Sequence, residues 1–94
     1  MKVENGILKG ELKVRGGKLI KCRMKTKDDK IEEIKISGDF FMHPEEKIEE
    51  LEEMLKGVEL KREEIEFIIN LFSKNVEMIG ITERDLLRVI MEAK

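Results

Sequence analysis

Hydrophobic and polar positions alternate through the first third of the chain. Across residues 7–14, Leu8, Gly10, Leu12 and Val14 fall on one side, and Lys9, Glu11, Lys13 and Arg15 on the other. Period-two alternation of this kind marks a strand with one buried face. Gly10 interrupts the apolar side and marks a bulge or a close approach of another segment. Residues 19–26 repeat the pattern, with Ile20, Cys22, Met24 and Thr26 inward and Lys21, Arg23 and Lys25 outward. A third strand, 31–37, turns Ile34 and Ile36 inward. Register follows from keeping the apolar faces together. A two-residue Gly16-Gly17 turn pairs Leu12 with Lys21 and mixes the faces. A three-residue loop, Gly16-Gly17-Lys18, pairs Val14 with Ile20 and Leu12 with Cys22, with a glycine in the left-handed region. A three-residue loop at Asp28-Asp29-Lys30 aligns the third strand in the same way. The expectation is an antiparallel three-stranded meander with one greasy and one charged face.

The period changes at residues 34–46, the stretch that closes the strands and opens the helices. It holds two of the four Phe, the one Pro and the one His. Pro44 suits a first helical position, with His43 as cap and Glu45 and Glu46 at the positive helix start. Ile48, Leu51, Met54 and Leu55 then form a helical stripe that ends at Gly57. A second helix, 62–73, carries Ile65, Ile68, Ile69 and Phe72 on its stripe. Residues 74–81 read as a partly extended, apolar connector. Thr82 with Asp85 resembles a capping box ahead of a third helix, 83–93, that buries Leu86, Leu87 and Ile90. Residues 1–6 are polar and read as a loose lead. The fold class is α+β in two layers: a three-stranded antiparallel β-meander followed by three helices packed on one face, β-β-β-α-α-α, with residues 1–94 as a single domain.

Composition narrows the function. Charged residues make up 43% of the 94 positions, yet the net charge is −2, so the surface is mixed rather than polyanion-binding. The absence of Gln and the abundance of Lys, Glu and Ile are thermophile-like. One Cys rules out an internal disulfide and a cysteine metal cluster. No stretch has the pattern of a signal peptide or the length of a membrane span. These features point to a cytoplasmic protein without membrane, nucleic-acid or metal partners.

The candidate chemistry is sparse. No phosphate-binding glycine motif is followed by Lys-Ser or Lys-Thr. Gly16, Gly17 and Lys18 could cradle a phosphate, but a hairpin turn accounts for them. His43 has no nucleophile at motif spacing, and Cys22 points inward as a small hydrophobe. Asp39 suits a turn, with its carboxylate bonding amides near the helix start. Phe40 shares the inward phase of Ile34 and Ile36, whereas Phe41 points the other way, either packed under a loop or exposed beside Met42 as a contact for another chain. The outer sheet face concentrates Lys21, Arg23 and Lys25 with Lys9, Lys13, Arg15 and Lys35, against Glu11 and Glu33. The first helix carries Glu45, Glu46, Glu49, Glu50, Glu52 and Glu53. No catalytic residue stands out.

Four segments together resemble a known family. They are Arg15-Gly16-Gly17-Lys18-Leu19-Ile20, Ile36-Ser37-Gly38-Asp39-Phe40-Phe41, Pro44-Glu45-Glu46 and Leu51-Glu52-Glu53-Met54-Leu55-Lys56-Gly57. This set, with Gly80-Ile81-Thr82-Glu83-Arg84-Asp85-Leu86, resembles the C-terminal accessory domain of lipoate–protein ligase over residues 12–93. The resemblance implies the small subunit of a two-chain ligase. In that family a large catalytic part binds ATP and lipoate, forms lipoyl-adenylate and passes the lipoyl group to a lysine of a carrier domain. The accessory domain serves the activation step. ATP, Mg and lipoate would then be held by a large catalytic subunit, in a heterodimer, with none bound by this chain alone. The signature positions transfer to Gly16, Gly17, Lys18, Gly38, Asp39, Phe40 and Phe41 as interface or activation residues. Lys21, Arg23 and Lys25 form a basic contact face, and either this face or the Phe41 corner would meet the large subunit. The fold also resembles iron–sulfur scaffold and sulfur-acceptor proteins, so the alternative is a non-catalytic sulfur carrier or scaffold-like module.

Overall fold

The computed structural model describes residues 6–94. Met1–Asn5, most of the lead read as loose, lie outside the described residues, and Gly6 already belongs to a strand. Strands β1 (Gly6–Lys13), β2 (Leu19–Lys27) and β3 (Lys30–Gly38) form the expected antiparallel meander, in that order. Leu12, Ile20, Cys22, Met24, Ile34 and Ile36 are buried on its inner face, while Lys9, Glu11, Lys21, Arg23, Lys25 and Lys35 are exposed on the other.

Both hairpins keep the expected faces by other means. Leu12 pairs with Ile20 and Gly10 with Cys22, two residues from the anticipated register. A shift of two preserves the side-chain parity. The Val14 N–H donates to the Lys18 carbonyl at 2.8 Å and the Gly17 N–H to the Val14 carbonyl at 3.0 Å, which closes a three-residue loop at Arg15-Gly16-Gly17. Gly16 and Gly17 both have φ +75°, and Lys18 is extended at φ −71°. A loop one residue later would require left-handed backbone at Lys18, which L-residues with a Cβ resist. In the second hairpin, Ile20 through Lys25 pair with Gly38 through Glu33 as expected. The turn itself has two residues, Asp28 and Asp29, at φ 55° and 65°, and the register slips between Lys25 and Thr26. This is a primed turn with a bulge at Glu32. The bulge brings Ile31 onto the inner face, where it is fully buried.

Helices α1 (Lys47–Leu55), α2 (Arg62–Ser73) and α3 (Glu83–Met91) cover that face. α1 lies over β3, α3 over β1 and β2, and α2 packs against both helices. Ile20, Ile31, Leu51, Leu55, Ile65, Leu86 and Ile90 are fully shielded from water. Each contributes about 1.5–3 kcal/mol by leaving water. The capping box is present: Thr82 N–H donates to Asp85 Oδ2 at 2.9 Å, and Asp85 N–H donates to Thr82 Oγ1 at 3.2 Å.

A second, two-stranded sheet was not anticipated. β4 (Phe41–His43) pairs antiparallel with β5 (Glu77–Ile79), so Phe41 faces Ile79 and Met42 faces Met78. The pairing keeps the chain extended through His43. Neither His43 nor Pro44 therefore starts the helix, which begins at Lys47 after a turn in which the Lys47 N–H donates to the Pro44 carbonyl at 3.1 Å.

The edges of the main sheet are closed in part. On β1, Lys9 and Lys94 exchange backbone hydrogen bonds of 3.2 and 2.9 Å. On β3, the Gly57 N–H donates to the Ile31 carbonyl at 2.7 Å and the Ile31 N–H to the Val58 carbonyl at 3.0 Å. Farther along, the Ile36 N–H donates to Glu52 Oε2 at 2.8 Å. Glu52, counted from sequence among the outward carboxylates of the first helix, is buried as an edge acceptor. Gly10 proves to be a close approach: a Cβ there would lie 2.5 Å from the Val89 carbonyl oxygen. We expect Gly10→Ala to push the end of α3 off β1 and to lower stability by about 1–3 kcal/mol, read by urea denaturation.

Candidate functional site

Segments far apart in sequence converge on one corner of the molecule. The Arg15-Gly16-Gly17-Lys18 loop supplies one side and Gly38-Asp39-Phe40-Phe41 another. The Asp39 N–H donates to the Leu19 carbonyl at 2.8 Å, and the Leu19 N–H donates to Asp39 Oδ2 at 3.3 Å. Asp39 thus ties the β3 exit to the start of β2 rather than capping a helix. Gly38 permits the approach, since a Cβ there would sit 2.2 Å from the Leu19 carbonyl oxygen. Gly80, at φ +96°, adds the third side, and a Cβ on it would lie 3.2 Å from Lys18 Cδ and 3.6 Å from the Asp39 carbonyl oxygen. Arg15 Nη2 reaches Asp85 Oδ2 at 3.6 Å, linking the loop to the capped start of α3.

This corner presents apolar surface. Phe41 is 65% exposed and its cross-strand neighbour Ile79 is 44% exposed, while Phe40 is half-buried against the core. Phe41 was legible from strand phase. Ile79, Gly80 and Asp85 were not assigned to the site, although Gly80 directly precedes Ile81 and the capping box in sequence. A second apolar pair stands on α2, where Phe67 is 62% and Leu71 is 42% exposed. Their spacing of one helical turn, off the buried stripe, was the available signal.

The basic face is a different surface. It runs along the outer side of the central strand β2, starting at Lys21, two residues past Leu19. Lys21 lies beside Glu11 and Ser37, and Lys25 beside Ile7 and Glu33. Arg23 lies between Lys9 and Lys35 and faces only cations. The three residues grouped from sequence are therefore not equivalent.

Cys22 is buried, and burial first, then the nearby Glu52 carboxylate, pushes its thiol up to about 12. A shielded, neutral thiol is a packing group rather than a sulfur acceptor. His43 is exposed beside Glu77 across the small sheet. Among the described residues, no group of three or more His, Cys, Asp or Glu is placed to hold a metal ion. No described helix is long and apolar enough to cross a membrane.

A one-faced meander under three helices, with the Arg15–Lys18 loop, residues 38–41 and Gly80 meeting at one corner, defines a small α+β domain. Residues 8–90 match the family described as the bacterial lipoate protein ligase C-terminus, and the chain belongs to that family. It is 32% identical over 72 residues to lipoate-protein ligase A subunit 2 of Thermoplasma acidophilum, covering 77% of this chain and 76% of that protein. It also superposes, with a TM-score of 0.82 and 32% identity, on a solved structure from the same organism. That work describes an archaeal lipoylation system, with a bipartite lipoate protein ligase and its E2 lipoyl domain, and the match covers 92% of this chain and 96% of that one.

The Cys22 environment has a consequence at alkaline pH. Well below pH 9.0, the ordinary thiol value, the group is neutral both folded and unfolded. From there to about 12 the unfolded thiol ionises and the folded one does not, so the stability it contributes is lost as pH rises through that window. Cys22→Val should show a shallower fall of the urea midpoint between about pH 8 and about pH 10.5 than the wild type. In the wild type, a thiol reagent should label Cys22 only once the protein unfolds.

Proposed function

We propose that this chain is the small subunit of a two-chain lipoate–protein ligase, required while the large subunit activates lipoate with ATP. The observation that carries the proposal is its likeness to a relative that is itself a ligase subunit, across most of that relative's length. In this reading the large subunit holds ATP, Mg and lipoate and forms lipoyl-adenylate. The lipoyl group then passes to a lysine of a carrier domain. This chain supplies no reacting group. It closes over the large subunit's site and keeps water from a hydrolysable mixed anhydride.

The corner is the surface that suits a stable partner. Phe41 and Ile79 form an exposed apolar pair on a short two-stranded sheet. Aromatic anchors of this kind concentrate binding energy at interface centres. The backbone beneath them is fixed by the Asp39–Leu19 bonds and by close approaches at Gly38 and Gly80. A rigid base means little ordering is lost on docking. The signature glycines thus act as interface support, and Lys18 lies along Gly80 at the rim.

The deciding experiment is ATP-dependent lipoyl transfer to a carrier domain by the cognate large chain, with and without this protein. A parallel reaction supplies preformed lipoyl-adenylate. The chain should be needed with ATP and dispensable with the adenylate; no effect on either reaction sinks the proposal. Phe41→Ala should leave the fold intact and weaken pairing with the large chain by about 2 kcal/mol or more, roughly thirtyfold in Kd. Unchanged pairing would remove the corner from the interface.

A further inference from the structure

The cation row at the centre of the sheet costs the fold more than its visible pairings return. The register sets Lys9, Arg23 and Lys35 side by side on three adjacent strands. Like charges directly opposite each other destabilise a sheet. Neighbouring strands stand about 4.8 Å apart, well inside the screening length of about 8 Å at physiological salt. Compensation within the chain is thin. Lys35 Nζ reaches Glu52 Oε1 only at 4.0 Å, and that carboxylate already accepts the Ile36 N–H. Among the described residues Lys9 and Arg23 form no salt bridge, whereas Lys25, one row away, pairs with Glu32 at 3.9 Å. Two shallow grooves on the outer face meet at Arg23 and Lys35.

We infer that this row docks an acidic protein surface, namely carboxylates on the lipoyl carrier domain. The inference rests on the ligase reading proposed above. The size of the row selects the class of partner. Three cations across three strands span about 10 Å. In the flanking rows Glu11 faces Lys21 and Glu33 faces Lys25, so neither adds net positive charge. A nucleic-acid backbone continuing past the cations would meet those carboxylates, and no aromatic residue is interleaved for stacking. A compact carboxylate cluster on a folded domain fits the same space. The character of the face selects which protein. A subunit held through many turnovers suits the apolar corner. A carrier that must arrive and leave each cycle suits a flat, charged, hydrated face, where charge sets encounter rate more than lifetime. The row thus raises the local concentration of the acceptor while the corner stays with the large subunit.

The test uses the two-chain enzyme, ATP, lipoate and an isolated lipoyl carrier domain at low salt. Arg23→Glu removes the central cation and relieves the repulsion in the row, so its melting temperature should equal or exceed that of the wild type. Its KM for the carrier should rise about tenfold, the lower end of what electrostatic steering supplies, and added salt should shrink the difference. Adenylate formation without carrier should keep the wild-type rate. Lys9→Glu, on a neighbouring strand, should act in the same direction. Lys74→Glu, an equal charge change at an exposed site on the helical side, should not. An unchanged carrier KM with normal activation overturns the docking inference and leaves the ligase reading standing. Loss of adenylate formation in Arg23→Glu would assign the face to the large subunit and overturn it as well. If the unaltered chain fails to support adenylate formation, the ligase reading itself falls.

Discussion

A three-stranded sheet with one apolar face leaves that face in water until another layer covers it. In this chain the face made by Leu12, Ile20, Cys22, Met24, Ile34 and Ile36 leaves water only because α1 and α3 lie across it. That constraint propagates outward. It fixes side-chain parity in both hairpins, since a one-residue slip would trade this face for Lys21, Arg23 and Lys25. It fixes where the helices must begin and end, because each stripe has to meet the sheet. It also leaves the strand edges to be closed by whatever chain remains. Glu52 shows how tight that last requirement is. A carboxylate is taken out of water so that the Ile36 N–H at the β3 edge has an acceptor. Leaving such a donor unmet costs about 1–3 kcal/mol.

The parts legible in the sequence are those governed by periodicity. The meander, the span of α2, the capping box at Thr82 and Asp85, and the outward phase of Phe41 all follow from alternation or helical spacing. The family also follows, from four short segments that the structure brings to the corner, the sheet's exit and the first helix. What escaped is what parity cannot distinguish. A register shifted by two residues buries the same face, so the hairpin loop was placed one residue late. Only the left-handed backbone at Gly16 and Gly17 decides it. A bulge likewise absorbed the residue that would have lengthened the second turn and moved Ile31 inward. β4 and β5 are three residues each, too short for period two to rise above a loop, and their pairing displaced His43 and Pro44 from the helix start.

The corner was partly legible for a related reason. Glycine signals mark positions where backbone must approach backbone, but they do not name the partner. Gly38 meets Leu19, Gly10 meets Val89 and Gly80 meets Lys18. These contacts are long-range, and sequence alone gives only one side of each. Asp39 illustrates the ambiguity. A Gly-Asp pair before a helix reads as a local cap, yet its hydrogen bonds go to Leu19, twenty residues back along the chain.

The requirements of the fold end at the inner face, the caps and the edges, and several conspicuous features lie beyond them. Phe41 and Ile79 gain no core contact from being large and apolar at the surface, and Phe67 and Leu71 stand off the buried stripe of α2. The Lys9–Arg23–Lys35 row works against the sheet that carries it. A chain selected for stability alone would soften each of these, since polar or oppositely charged substitutions at exposed sites are readily tolerated. Their presence together is not accounted for by the stability of this fold. The two kinds of feature also differ in physics. Apolar pairs on a braced backbone favour long-lived contact, whereas a cation row with little compensation favours fast, salt-sensitive encounter. The two surfaces are therefore suited to different kinds of contact, as the two roles proposed for them require.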